Sequence, residues 1–262
     1  MLRKRVLTSL AAGPLALAAV WLGNPWFALL VTLVVILACR EFYGMTLGTR
    51  DRGLGYLGTA MALGLALTPL YPPGRPVLFT AAATLPLAWL VLSTPKQAIL
   101  SRWGLTLAGT LYIGWLLSHL IGLRDLGSSG REWALLALLV TFSSDTTAFF
   151  GGRALGRHHL APAISPGKTW EGGAAGLLGG IAAGILLTYL LALPLLLGQA
   201  ILLGALASIA GQMGDMAESM IKRGAGVKDS GGLLPGHGGI LDRLDSVVFT
   251  GPVVYYLVVW LG

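Results

Sequence analysis

Between Gly211 and Ser246 the chain reads GQMGDMAESMIKRGAGVKDSGGLLPGHGGILDRLDS, a stretch in which five carboxylates stand among four cations and a Gly/Pro-rich loop. If helix continues past Met213, Asp215, Ser219 and Lys222 share one face at i, i+4, i+7 spacing. Asp242 and Asp245 likewise share a face at the start of the last apolar segment. Between the two groups lie Lys228, Asp229 and His237, with glycines that let backbone come close to a ligand. Paired carboxylates beside several cations suit metal-assisted phosphoryl or nucleotidyl transfer. In that chemistry divalent ions neutralise phosphate oxygens and cations hold the leaving group. A hydrolytic or glycosidic carboxylate pair would need fewer cations. Blander readings exist for the parts taken singly: Asp242 and Asp245 would complement a helix dipole, and Lys222-Arg223 would anchor a helix end at a charged interface.

Two further segments carry polar residues where few are expected. SSDTTAFFGGR (Ser143–Arg153) puts Asp145 inside an otherwise apolar run. An aspartate at the centre of a membrane helix costs about 2.5–3.5 kcal/mol, less near the interface, so such acids are usually functional. The alternative is that Asp145 snorkels or caps a neighbouring helix. SPGKTWEG (Ser165–Gly172) leads into a Gly-rich helix. It is no P-loop, because position 162 is Pro and no strand precedes it. Lys168 with Ser165 and Thr169 at a helix N-terminus still makes a phosphate seat. An ordinary loop with Ser165 and Thr169 as helix caps is the other reading.

The elements that must position these groups are membrane helices. Of 262 residues, 55% are hydrophobic and only 11% charged, with a mean hydropathy of +0.76, against roughly 25% charged for a soluble domain. Nine apolar stretches are marked off: Val6–Leu22, Trp26–Cys39, Leu54–Leu70, Val77–Leu92, Trp103–Leu123, Trp133–Phe150, Gly172–Leu193, Leu195–Met213 and Val247–Leu261, with Asp145 the sole charged residue among them. Their continuity argues for helices rather than barrel strands. The expected fold is all-α, a polytopic membrane protein of about nine transmembrane helices with no soluble domain. The basic head of the chain resembles a secretory signal, but Asn24-Pro25 between the first two runs favours an uncleaved helical hairpin. Cys39 and four scattered His give no zinc pattern.

With the N-terminus inside and nine crossings, all but three of the 18 Lys and Arg residues fall on the inner side, the exceptions being Arg75, Arg124 and Arg131. That bias predicts an active site facing the cytoplasm and partners among anionic headgroups and nucleotides rather than nucleic acid. Residues 1–142 read as a transmembrane scaffold, in whose loops Asp51 and Asp125 are expected to be dispensable for activity. Residues 143–262 read as the catalytic region, with cytoplasmic loops at 153–171 and 214–245.

The final run resembles the phosphatidate cytidylyltransferase (CDP-diacylglycerol synthase) family, whose signature is similar to S-x-hydrophobic-K-R-x4-K-D-x-small-x2-hydrophobic-P-x-H-G-G-hydrophobic-x-D-R-hydrophobic-D. Every position is met, from Ser219, Lys222 and Arg223 through Lys228, Asp229, Gly231, Leu234, Pro235, His237, Gly238 and Gly239 to Asp242, Arg243 and Asp245. SPGKTWEG and the segment around Asp145 also resemble family segments, with Phe149 where Tyr is common. Nothing is carried onto the first 142 residues. The resemblance implies an inner-membrane enzyme joining CTP and phosphatidic acid into CDP-diacylglycerol with release of pyrophosphate. It implies Asp215 and Asp242 as metal-holding carboxylates, Mg2+ as the principal ion and room for a monovalent companion such as K+. Lys168, Lys222 and Arg223 would meet the triphosphate and lipid phosphate. Asp145, Asp229, Asp245 and His237 would position, and Ser165, Thr169, Ser219, Lys228 and Arg243 would complete the substrate contacts. Membrane lipids are partners, and a homodimer stays open. Rival readings are a CTP-dependent transferase for another lipid phosphate or lipid alcohol, and an ion-coupled transporter using Asp145 and Asp215. The transporter reading is disfavoured by the missing internal repeat and by the cation-rich loop.

Overall fold

The computed structural model describes residues 13–49, 51–93, 97–233 and 238–261; His237, Pro235 and Leu234 lie outside the described residues. The chain is helical almost throughout: α1 (described over Gly13–Leu22), α2 (Trp26–Thr46), α3 (Arg52–Ala66), α4 (Arg75–Leu92), α5 (Ile99–Gly109), a π-helical turn at Thr110–Trp115, α6 (Leu116–Arg124), α7 (Gly130–Leu155), α8 (Trp170–Leu190), α9 (Leu197–Gly224) and α10 (Asp245–Leu261). Among the described residues the exception is a short antiparallel hairpin, β1 (His159–Ala161) with β2 (Ser165–Thr169).

Among the described residues six helical segments are long and apolar enough to cross a membrane: Trp26–Thr46, Pro72–Leu92, Ile99–Arg124, Gly127–Leu155, Trp170–Leu190 and Leu197–Gly224. The chain is thus a polytopic integral membrane protein, but the expectation of nine spans is overturned. The reason is helix length rather than composition. α3 has 15 residues and α10 has 17, and at 1.5 Å per residue these rise about 22 and 26 Å against a hydrocarbon core of about 30 Å. The apolar run Leu54–Leu70 looked longer because hydropathy does not register that the helix stops at Ala66 and Leu67–Leu70 turn. α3 is instead a packing helix, with Leu54, Ala62, Leu65 and Ala66 fully buried. The six spans carry Leu, Ile and Val outward as well as inward: α2 buries Phe27, Val31 and Val35 yet exposes Leu29, Leu33 and Ile36. Helices apolar on every side belong in lipid.

The chain divides into two compact units, Met1–Gly122 with Asp229–Arg243, and Leu123–Lys228 with Leu244–Gly262. In the first, α2, α3 and α5 meet around Tyr43. Its hydroxyl donates to the Thr106 carbonyl at 2.8 Å and lies 3.1 Å from Thr110 Oγ1. Gly58 makes room for that ring, because a Cβ there would overlap the phenol. Asp51 pairs with Arg102 through both carboxylate oxygens, one at 2.9 Å from Nε. Asp51 is thus not a free loop acid: it joins the start of α3 to α5, and its replacement would weaken that tie.

In the second unit α7, α8, α9 and α10 pack by close backbone approach. Gly172, Gly176, Gly180 and Gly184 recur every four residues along α8 and so line one face. A Cβ on Gly180 would sit 2.6 Å from Ser208 Cβ, and one on Gly184 would sit 2.9 Å from both the Ala200 carbonyl and Gly204 Cα. Small residues at helix seams are the membrane's substitute for a hydrophobic driving force between helices. Polar side chains add to the seam: Ser144 Oγ lies 2.7 Å from Ser208 Oγ, and Gln212 Nε2 donates to the Gly173 carbonyl at 3.1 Å.

Candidate active site

α9 continues as helix to Gly224, so Asp215, Ser219 and Lys222 stand on one unbroken helix. Lys168 reaches that helix from β2. Its Nζ lies 2.8 Å from Asp215 Oδ2, with the two side chains 23% and 36% exposed. The hairpin that carries Lys168 is tied at its base by Glu171, which accepts from the Arg157 and His158 amides at 3.1 and 3.3 Å and meets His158 Nδ1 at 2.6 Å. The segment Ser165–Thr169 is thus a strand and not an open loop. Thr169 is the N-cap of α8, its hydroxyl accepting from the Gly172 amide at 3.1 Å.

Asp145 and Asp245 belong to the same unit as Asp215 and Lys168. Ser246, at the start of α10, donates through Oγ to Asp145 Oδ1 at 3.2 Å, and its amide donates to Asp245 Oδ1 at 2.7 Å. Desolvation, then the nearby charge of Asp215, and further that of Asp145, push the Asp245 carboxyl up to about 7. Three acids with a single lysine among them are short of positive charge, which is the electrostatic condition for taking up a cation. A Cβ on Gly214 would overlap the Asp245 carbonyl, so α9 and α10 approach closely there.

Lys222 Nζ is 2.5 Å from Glu218 Oε2, and the Glu218 side chain has no exposed surface. Arg223 is exposed and donates to the carbonyls of Val227 at 3.1 Å and Ile164 at 3.4 Å. Ser219 and Ser165 are half-buried, and Lys228, Asp229 and Arg243 are exposed.

Asp242 belongs to the other unit, where its surroundings are different in kind. Its Oδ2 accepts from the Ser230 amide at 3.0 Å, the Ser230 hydroxyl at 2.9 Å and the Gly239 amide at 2.8 Å. Beside it is a residue that sequence reasoning passed over. Glu41 of α2 is 7% exposed. Its Oε1 accepts from the Ile240 amide at 3.0 Å, and its Oε2 from the Leu241 amide at 3.0 Å and Ser230 Oγ at 3.1 Å. Neither Glu41 nor Glu218 lies inside an apolar stretch marked off from the sequence, so the signal that singles out Asp145 does not reach them. Glu41 was missed because the apolar stretch was ended at Cys39 while the helix runs to Thr46.

Among the described residues no three His, Cys, Asp or Glu side chains are gathered to hold a metal ion by themselves. The donors present are carboxylates, the hard oxygen ligands Mg2+ prefers. Mg2+ at nucleotide sites is usually held by one or two carboxylates, with substrate phosphates and water completing its octahedron. The residues fit Mg2+ in that shared manner.

A sequence model described as the cytidylyltransferase family matches residues 3–261. The chain is 38% identical, over 294 aligned positions, to phosphatidate cytidylyltransferase 5, chloroplastic, of Arabidopsis thaliana, spanning 98% of this chain and 71% of that protein. It is 35% identical over 289 positions to the phosphatidate cytidylyltransferase of Synechocystis sp., spanning 98% and 97% of the two chains. A 35% match over 258 positions to the phosphatidate cytidylyltransferase of Brucella abortus spans 97% of this chain and 92% of that one. The similarity extends over the first 142 residues, onto which the signature alone carried nothing.

Proposed function

The chain belongs to the cytidylyltransferase family, and on that premise we propose how its own residues carry out the family's reaction. It transfers the cytidylyl group of CTP to phosphatidic acid, forming CDP-diacylglycerol and pyrophosphate. A phosphate oxygen of the lipid attacks the α-phosphorus of CTP in line. The new P–O bond forms as the bond from the α-phosphorus to the bridging oxygen breaks, and pyrophosphate leaves with the electron pair. The lipid phosphate arrives ionised, so no strong general base is required. The chemistry asked of the protein is positioning and charge neutralisation.

The observation that carries the reading is Lys168 held 2.8 Å from Asp215 with Asp145 and Asp245 in the same unit. Lys168, Lys222 and Arg223 bind the triphosphate and the lipid phosphate, each as a fixed positive charge. Glu218 supports this by holding the Lys222 ammonium at a set position. Asp215 and Asp242 are the Mg2+-binding carboxylates, with a monovalent ion such as K+ as companion. When bound, Mg2+ would neutralise charge on the phosphate oxygens and on the departing pyrophosphate. Asp145 and Asp245 position, together with Asp229 and His237, and Ser165, Thr169, Ser219, Lys228 and Arg243 complete the substrate contacts. Purified protein in detergent is expected to convert labelled CTP and phosphatidic acid to CDP-diacylglycerol only with a divalent cation, and ATP should substitute poorly. Undiminished product in excess chelator would refute the metal dependence. Product from a polyprenyl phosphate and none from phosphatidic acid would refute the lipid substrate.

The orientation proposed is one in which 153–171 and 214–245 face the cytoplasm at the inner membrane, supported by the Lys and Arg clustered in those short segments. Gly232 is exposed with open space around it, and Ser128 is exposed. In intact cells a membrane-impermeant thiol reagent should label Ser128→Cys and spare Gly232→Cys; the opposite pattern reverses the orientation. The native Cys39 is buried and gives little background.

A further inference from the structure

We propose that Glu41, on the membrane helix α2, is a positioning residue for the reaction: it holds the loop bearing Asp242 in its working shape and thereby sets the protein's affinity for Mg2+. The inference rests on the reading of Asp242 as a Mg2+ ligand.

The argument begins with what a buried carboxylate requires. Glu41 is 7% exposed, and a carboxylate removed from water is tolerated only where donors replace the lost hydration. Three donors surround it, all from one short stretch: the hydroxyl of Ser230 and the amides of Ile240 and Leu241. An ionised carboxylate only accepts, and every one of these groups can donate. Two consecutive amides are thus fixed by one side chain nearly two hundred residues earlier in sequence.

The loop's glycines are shaped to this side chain. A Cβ on Gly231 would sit 2.6 Å from Glu41 Oε1, and one on Gly239 would overlap both Ser230 Oγ and Glu41 Oε2. Gly238 adopts φ +78°, a left-handed conformation, and a Cβ there would sit 2.7 Å from Asp242 Oδ2. Close backbone approach in this loop therefore serves Glu41 and Asp242.

Ser230 joins the two acids. Its hydroxyl lies 3.1 Å from Glu41 Oε2 and 2.9 Å from Asp242 Oδ2, but it has one proton to donate. Were Asp242 to hold a cation, its oxygen would become a poorer acceptor and the Ser230 hydroxyl would be left to Glu41, whose hydrogen bond would then favour the cation-holding state. If Glu41 is absent, the amides at 240 and 241 lose their acceptor and the loop is free to leave that shape.

The test uses the full chain in detergent with Glu41→Gln, Ser230→Ala and Asp242→Asn. Glutamine keeps the size of Glu41 but turns one acceptor into a donor facing donors. Two quantities are read: hydrogen exchange of the 229–243 amides in metal-free protein, and the Mg2+ concentration for half-maximal rate at saturating substrates. Groups that orient a metal ligand typically change metal affinity or activity by about 10–100-fold. Glu41→Gln is expected to speed exchange at Ile240 and Leu241 and raise the Mg2+ requirement by about tenfold, with kcat at saturating Mg2+ changed less. Ser230→Ala should move both in the same direction by less. Faster loop exchange with a wild-type Mg2+ requirement would make Glu41 a clamp of the fold alone and overturn the inference, as would no change in either. If Glu41→Gln does not fold, Ser230→Ala decides by the same criteria. A wild-type Mg2+ requirement in Asp242→Asn beside a raised one in Glu41→Gln would sink the reading of Asp242 while the Glu41 effect stands.

Discussion

Asp215→Asn is expected to lose at least about a hundredfold in kcat, the scale seen when one preorganised charge contact to a transition state is removed. The substitution preserves shape and removes the charge that meets Lys168 at 2.8 Å. The Asp215 side chain is 36% exposed, so the amide creates no cavity, and its remaining carbonyl oxygen can still accept from the Lys168 ammonium, whose nitrogen is buried. The fold should therefore survive, and the loss should appear in turnover rather than in thermal unfolding. Asp242→Asn should fall as far. There the exchange of the loop amides must be followed as well, because Asp242 Oδ2 also accepts from Ser230 and Gly239. Asp125→Asn, in an exposed turn of the chain, serves as the control and should be nearly silent. Initial rates against Mg2+ concentration decide the matter: wild-type metal dependence in well-folded Asp215→Asn would remove it from the ligand set.

Lys168→Met is the second large effect, an expected drop of about 10²–10³-fold in kcat/KM. Its ammonium is presented by a two-stranded hairpin whose base is fixed independently by Glu171 and His158. Loss of the charge should therefore leave the hairpin in place and remove a contact to the transferring phosphates. A rise in KM for CTP with unchanged kcat would assign Lys168 to ground-state binding. A fall in kcat would assign it to the transition state. Lys168→Met combined with Asp215→Asn should cost far less than the product of the two losses, since each charge organises the other. Strict multiplicativity would mean that the pair seen at 2.8 Å does not act as a unit.

The membrane class and the family were legible in the residues alone, for different reasons. Apolar composition measures transfer free energy directly, so an 11% charged chain has few places to go but lipid. The signature from Ser219 to Asp245 packs several chemically demanding residue types into one continuous segment, so its meaning needs no folding to read. Whether helix continues past Met213 stayed open in the sequence, where 214–245 reads as a loop and the shared face of Asp215, Ser219 and Lys222 holds only if it does; α9 in fact runs to Gly224.

What only the tertiary structure decided depends on lengths and on contacts between distant segments. Whether a hydrophobic run spans the bilayer depends on where its helix stops, and hydropathy does not register that Leu67–Leu70 turn away after Ala66. That removes one of the nine runs; α10 is only 17 residues long, and the first run, Val6–Leu22, lies partly outside the described residues, so six helices of spanning length are found among those described. The division of the chain was hidden for a similar reason: Asp229–Arg243 belongs with the N-terminal helices rather than with the segments that flank it. Asp51 looked like a loop acid until Arg102 was found against it. Glu41 stands two residues past the apolar run that ends at Cys39, and only the folded chain brings the amides of Ile240 and Leu241 onto it. A hydrogen bond between residues so far apart leaves no periodicity or spacing in the sequence. It exists because a buried carboxylate must find donors, and only the folded chain determines which ones are within reach.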